Sequence, residues 1–266
     1  MTSKPWERGA LAFPALGLLV LLSCAARAEP APPGVVACAE QLLSGVERRF
    51  EAMQTLQYTV ERTTQSARQQ SQERWLFRYR KPGDMRIDYQ SPQDRVILIT
   101  PASLVEYLPG VRKALRTDLA RLPAAERSAR VGGVLAHVAV EGLRVGAVGA
   151  MLARVQRVTP DARPAGAQWV EGEGPRFRVL VDPARQLVLV TELWDARGEL
   201  KLRTAADDFV EAAPGQWFPQ RITAVYGRAE GAVTSTVRLS DIRVNAAVDP
   251  ALFEFVPDKK VTLRER

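Results

Sequence analysis

Between Arg74 and Lys81 the chain alternates strictly: Trp75, Phe77, Tyr79 and Lys81 fall on one set of positions, and Arg74, Leu76, Arg78 and Arg80 on the other. A period of two puts alternate side chains on opposite faces of a strand. One face therefore carries three aromatics and a lysine stem, and the other is mostly arginine. Pro82-Gly83 follows as a turn dipeptide, since proline pre-sets φ and glycine accepts a positive one. Met85, Ile87 and Tyr89 then alternate with Arg86 and Asp88. Ser91-Pro92 breaks the run, and two further apolar strands are expected at Val96–Ile99 and Leu104–Leu108. The stretch from Arg74 to Pro109 thus reads as four short strands with one broad apolar face. That face has two readings: the plain core of an antiparallel sheet, or a sheet curved around something removable, such as an acyl chain.

Upstream the period changes. Leu42, Leu43, Val46, Phe50 and Met53 recur at spacings of three and four, which predicts an amphipathic helix over 36–53 that packs on the sheet. Leu56, Tyr58 and Val60 predict a first strand over 56–64. From Val111 to Pro164 the strand signal stops. Pro123-Ala124-Ala125-Glu126 marks a helix start, with proline in the first turn. Val145–Val158 reads as a second short helix, weakened by Gly142, Gly146 and Gly149 nearby, at about 1 kcal/mol per glycine relative to alanine. The region is expected to form marginal helices or a flap over the sheet. Strands resume at Gln168–Glu171, Arg176–Asp182, Leu187–Asp195, Leu200–Phe209, Trp217–Tyr226 and Thr234–Asn245, joined by turns such as Asp182–Arg185, Asp195–Gly198 and Ala213-Pro214-Gly215. The segment 249–257 is expected to close the sheet as an edge strand. Roughly ten or eleven sequentially paired strands exceed a comfortable flat sheet, and twist curls such a sheet into a half or full barrel. The fold class expected is α+β, mainly antiparallel β: an open, incomplete barrel with helices over its concave apolar face.

Composition adds a compartment. Lys4 and Arg8 precede an apolar run, Leu11–Leu22, which is too short to span a bilayer and is followed by Ala26-Arg27-Ala28. Residues 1–28 are expected to be an export signal cleaved after Ala28, leaving 29–266 as one domain in the periplasm. A competing reading takes Leu21-Leu22-Ser23-Cys24 as a lipobox, with Cys24 lipidated. Removing residues 1–28 takes away Lys4, Arg8, Arg27 and Glu7, so the formal charge falls from +7 to +5. The remaining basic residues are dispersed along strands, and the compartment is extracytoplasmic, so nucleic acid is not an expected partner. Cys38 is then the only cysteine and reads as a small buried hydrophobe on the first helix.

Catalytic chemistry is hard to find. There is one histidine, His137, in an apolar run, and no Cys/His/carboxylate cluster has metal-ligand spacing. No GxSxG elbow or phosphate-binding loop is present. Asp207 and Asp208 are adjacent in a strand-like segment, so their carboxylates are expected on opposite faces. These absences favour a binding protein without a cofactor over an enzyme.

The run RWLFRYRKPGDMRIDYQSPQDRVILI, the following LVEYLP, and the closing DPALFEFVPDKKVTL resemble the periplasmic lipoprotein-carrier (LolA-like) family. The segment VDPARQLVLVTELWDARGELKLRTAADDFVEAAPGQWFPQRI is similar to a longer branch of that superfamily. The resemblance spans the mature chain except about 111–165. It implies an open antiparallel half-barrel that holds the acyl chains of a lipoprotein or other lipid between sheet and helices. It also implies an inner-membrane ABC-type releasing complex, an outer-membrane acceptor, and a monomer. On that basis the expected lipid-binding residues are Trp75, Phe77, Tyr79, Lys81, Met85, Ile87, Tyr89, Val96, Leu98, Leu104 and Tyr107. Three features depart from the family pattern. Lys81 stands where arginine is common, and lacks its planar fork. Met85 stands in place of an aromatic. Thr100-Pro101-Ala102-Ser103 replaces an Asp-Gly-Lys hairpin. The extra strands near 200–240 suit a different cargo. Two alternatives share the architecture: an envelope-stress module of RseB type binding a protein partner, and a LolB-like acceptor anchored through Cys24.

Overall fold

The computed structural model describes residues 32–138 (side chains to 132), 151–162, 166–173, 176–227 and 231–266. The export segment, Cys24, Gly142, Gly146, Gly149 and the side chain of His137 lie outside the described residues.

Helix α1 (Pro33–Glu51) opens with prolines at its first turn, where their missing N–H groups cost nothing, and ends with Arg48 and Arg49. Six strands follow as a meander: β1 (Thr55–Gln65), β2 (Gln70–Arg80), β3 (Asp84–Ser91), β4 (Arg95–Ile99), β5 (Ser103–Leu108) and β6 (Lys113–Asp118). Helix α2 (Ala124–Val138) lies in the connection to a second meander. That meander comprises β7 (Val155–Pro160), β8 (Gln168–Gly172), β9 (Phe177–Asp182), β10 (Leu187–Trp194), β11 (Leu200–Ala213), β12 (Gln216–Tyr226) and β13 (Val233–Val244). The two meanders join where β1 pairs antiparallel with β13. Strand β14 (Thr262–Glu265) returns to pair parallel with β6.

The result is a single 14-stranded sheet ordered β14-β6-β5-β4-β3-β2-β1-β13-β12-β11-β10-β9-β8-β7, open at both ends. The α+β open half-barrel is therefore the observed architecture, with more strands than the ten or eleven expected. Two of the additional strands, β6 and β7, fall inside 111–164. Lys113, Arg116 and Asp118 dilute the alternation of β6. In β7 the pattern Val155–Pro160 was absorbed into a helical reading of 145–158. The closing segment also differs: Pro250–Phe253 is a 3₁₀ turn capped by Asp249, whose Oδ1 accepts from Ala251 N at 2.9 Å, and the edge strand is β14. Proline at the first turn position and an Asx cap stabilise a turn over an extended start.

Turn chemistry fixes the hairpins. Asp182 Oδ1 accepts from the N–H groups of Ala184 and Arg185, at 2.9 and 3.2 Å. Asp195 Oδ1 does the same for Arg197 and Glu199, with Gly198 at φ 74°. Gly172 is required for a different reason: a Cβ there would lie 2.2 Å from Phe177 and 2.5 Å from the carbonyl of Arg154.

The two faces of the sheet are covered differently. On the concave face, Ala39, Leu42, Leu43 and Val46 of α1 pack on Val155, Val170, Phe177, Val179, Val181 and Val188, over β7–β10. The same face continues across β11–β13 and β1–β5 as a larger cluster. On the convex face the C-terminal segment lies against β2–β6. Phe255, Val261 and Leu263 pack on Leu98, Val105 and Ala114, and Arg86 Nη1 donates to the Leu252 carbonyl at 2.8 Å.

Candidate functional site

Strand register builds the apolar face in three rows. Val60, Trp75 and Tyr89 form one row across β1, β2 and β3. Tyr58, Phe77, Ile87 and Ile97 form the next. Leu56, Tyr79, Met85, Ile99 and Leu104 form the third. Cross-strand partners on one face interact directly. The Tyr58 and Phe77 rings stack at 4.9 Å with a 22° interplanar angle, and Trp75 tilts against Tyr89 at 5.5 Å. Phe218, Ile222, Val237 and Leu239 extend the face across β12 and β13.

Of the residues expected on this face, the structure brings together Trp75, Phe77, Tyr79, Met85, Ile87, Tyr89 and Leu104. Trp75 and Ile87 are fully buried, whereas Tyr79, Met85 and Tyr89 are half-buried at its fringe. Four residues go elsewhere. Val96, Leu98 and Tyr107 point to the convex face, where Tyr107 meets Phe255 at 5.5 Å beneath the C-terminal segment. The run Val96–Ile99 is apolar on both faces because both are covered, so its alternation is silent; Ile97 and Ile99 are the inward pair. Lys81 falls beyond the end of β2, in an exposed turn. Its Nζ donates to the Glu51 carbonyl at 2.9 Å, capping α1 instead of lining the face.

Three polar groups modify the face. Arg62 follows Leu56, Tyr58 and Val60 in their alternation, and its guanidinium lies 4.8 Å above the Trp75 ring. Trp75 Nε1 is buried without an acceptor among the described residues. Arg49 is 3% exposed, with its guanidinium carbon 5.0 Å from the ring centroids of both Phe50 and Phe218, and Nη1 donates to the Trp217 carbonyl. Desolvation pushes its pKa down to about 10, so it stays charged at neutral pH. Burial also raises the Tyr58 and Tyr89 hydroxyls, opposed by Arg62 at Tyr58 and chiefly by Arg95 at Tyr89. Sequence reasoning passed over Arg49, although it stands three residues after Val46 and seven after Leu42, in line with the apolar stripe.

Elsewhere the chemistry is structural. Asp207 and Asp208 do not diverge: φ is 53° at Asp208, and Arg221 pairs with both, at 2.6 and 3.2 Å. The usual strand alternation fails at that left-handed residue, and one guanidinium bridges both carboxylates. Cys38 Sγ is half-buried on α1, 3.7 Å from Gln168 Oε1. Among the described residues no group of three or more His, Cys, Asp or Glu is placed to hold a metal ion. No helix among them is long and apolar enough to cross a membrane.

No family model matches the sequence, and no curated protein matches it. Solved structures do. A LolA superfamily protein of Nitrosomonas europaea aligns over 81% of this chain and 97% of its own, at 14% identity and a TM-score of 0.51. A DUF1329 family protein of Desulfovibrio piger aligns over 82% and 97%, at 12% identity and a TM-score of 0.55. A Vibrio parahaemolyticus domain described as an outer-membrane lipoprotein-sorting protein aligns over 81% and 97%, at 14% identity and a TM-score of 0.53. At such identities the likeness is one of backbone architecture, and it agrees with the open sheet and inward helix described above: this chain has the LolA-like fold.

Proposed function

We propose that the protein is an exported, periplasmic carrier that holds the acyl chains of a lipoprotein or another lipid on the concave face of its half-barrel. The observation that carries this reading is the division of that face. Over β7–β10 it is sealed by α1. Over β1–β5 it is aromatic and ends in the half-buried Tyr79, Met85 and Tyr89. Methionine and tyrosine adapt to irregular apolar partners, which suits a cargo that enters and leaves. Each acyl CH₂ taken out of water supplies about 0.8 kcal/mol, so affinity needs no covalent step. The lipoprotein-sorting description of the Vibrio parahaemolyticus neighbour points the same way. Delivery would need a releasing complex at the inner membrane and an acceptor at the outer one.

Native mass spectrometry of protein purified gently from the periplasm, with lipid extraction of the same sample, tests the reading. The expected result is an acyl-containing adduct on a chain that begins at Glu29. A clean apo mass, with no uptake from added lipid, would overturn it and direct attention to a protein partner.

A further inference from the structure

Arg49 is the residue that packing leaves unexplained. It occupies the last turn of α1, on the stripe where Leu42 and Val46 are core residues. The residue is buried, with 3% of its surface exposed. Of the five N–H donors of a guanidinium, one reaches the Trp217 carbonyl. Nε and Nη2 are buried with no acceptor, and no carboxylate pairs with the group, among the described residues. Two ring faces and the C-terminal end of α1 offset part of its lost hydration. They do not occupy the free edge of the fork, which is shaped to meet two oxygens of a carboxylate or phosphate.

We propose that Arg49 is the head-group site of the concave face, taking the acidic group of an acyl lipid whose chain lies over β1–β5. The proposal rests on the carrier reading and narrows it to anionic amphiphiles. The surroundings favour a lipid over a free anion. Phe50 and Phe218 flank the guanidinium, so an inorganic ion would be stripped of water with no chain to compensate. Trp75 Nε1 offers a second buried donor on the same face, suited to an ester or acid oxygen. An arginine on the apolar stripe of a helix, flanked by two aromatic rings, thereby selects which acyl lipids are held.

The test compares ligands with one chain and different heads. Delipidated mature protein is titrated with oleate, with oleyl alcohol and with inorganic phosphate, below micellar concentrations, by calorimetry and tryptophan fluorescence. The expected result is oleate binding about 10- to 100-fold tighter than oleyl alcohol, the range for one hydrogen-bonded charge, with no binding of phosphate alone. Arg49→Met should remove the preference, bringing oleate down to the affinity of oleyl alcohol for the same variant, and Arg49→Lys should restore part of it. Equal wild-type affinities for the two lipids would overturn the head-group site while leaving the carrier intact. So would a preference that survives Arg49→Met, or phosphate binding without an oleate advantage. Failure of both lipids to bind would overturn the carrier reading and this inference with it. The wild-type comparison decides the matter even if the methionine variant does not fold.

Discussion

Tyr79→Glu tests the concave face at the point where it is accessible. Tyr79 sits between Leu56 and Met85 in the third cross-strand row and is half-buried. Phe77 is the less informative target. It is 9% exposed and stacked on Tyr58, so a glutamate there would bury a carboxylate in the core and cost several kcal/mol of stability. At Tyr79 the carboxylate reaches the fringe, and the expected stability loss is about 1–2 kcal/mol. Binding should suffer more. If roughly a quarter of an aromatic side chain's ~200 Å² faces the acyl chain, its removal costs about 1.3 kcal/mol at ~25 cal/mol/Å². Placing a carboxylate against hydrocarbon adds about 1–3 kcal/mol, for a total near 3 kcal/mol and an affinity loss of about 100-fold. The assay is titration with oleyl alcohol, a neutral probe that avoids charge repulsion, read by tryptophan fluorescence alongside a thermal melt. Tyr79→Phe is the control and should bind as wild type does. A Tyr79→Glu variant with an unchanged melt and wild-type affinity would refute the assignment of β1–β5 as the acyl surface.

Gly172→Ala should lower stability by about 3 kcal/mol, a fall in Tm of roughly 6–12 °C, because the added methyl meets Phe177 and a backbone carbonyl that cannot turn aside; an unchanged Tm would contradict the packing of β7–β9. Folding holds Tyr58 and Tyr89 protonated beyond the usual tyrosine range near pH 10, chiefly by desolvation. Their contribution is complete below that pH and is lost as pH rises above it, so stability should fall in alkaline solution, and Tyr58→Phe should flatten that fall in denaturant titrations between about pH 9 and 12. Lys81→Ala removes one exposed capping bond to Glu51. It should cost under about 1 kcal/mol and leave oleyl alcohol affinity within about twofold, whereas a large binding defect would return Lys81 to the lipid site.

The meanders were legible where one face of a strand is apolar and the other charged. Trp75, Phe77 and Tyr79 against Arg74, Arg78 and Arg80 fix the orientation of β2 without ambiguity, and β3 follows through its turn. Legibility failed where both faces are covered. Val96–Ile99 gives no alternation to read, and its inward pair was assigned one residue out of register, which transfers each side chain to the other face. The cover responsible, Phe255–Leu263, comes from more than 150 residues downstream, and no local pattern announces it. Strand β6 was missed because Lys113, Arg116 and Asp118 mask the inward and outward sets, and β14 because four residues carry little periodicity of their own. Arg49 was missed for a different reason: charged residues were discounted when the helical stripe was drawn, so the one that breaks the stripe went unweighed.

The two halves of the concave face have different chemistry, and Arg49 lies where they meet. Beneath α1 the sheet presents mainly valines, which are stiff at χ1 and pack a fixed partner well. Across β1–β5 it presents Tyr58, Trp75, Phe77, Tyr79, Met85 and Tyr89, which are larger, and three of which are only half-buried. This second surface runs beyond α1, with Leu122 and Val131 of the following segment packed against it, and a surface meant only for hydrocarbon would gain nothing from an arginine with free donors. Under the head-group proposal, one anchored helix, one apolar sheet and one buried cation at their border match the parts of an anionic amphiphile in order: the sheet would take the chain, the cation would take the head, and α1 would hold the cation in place.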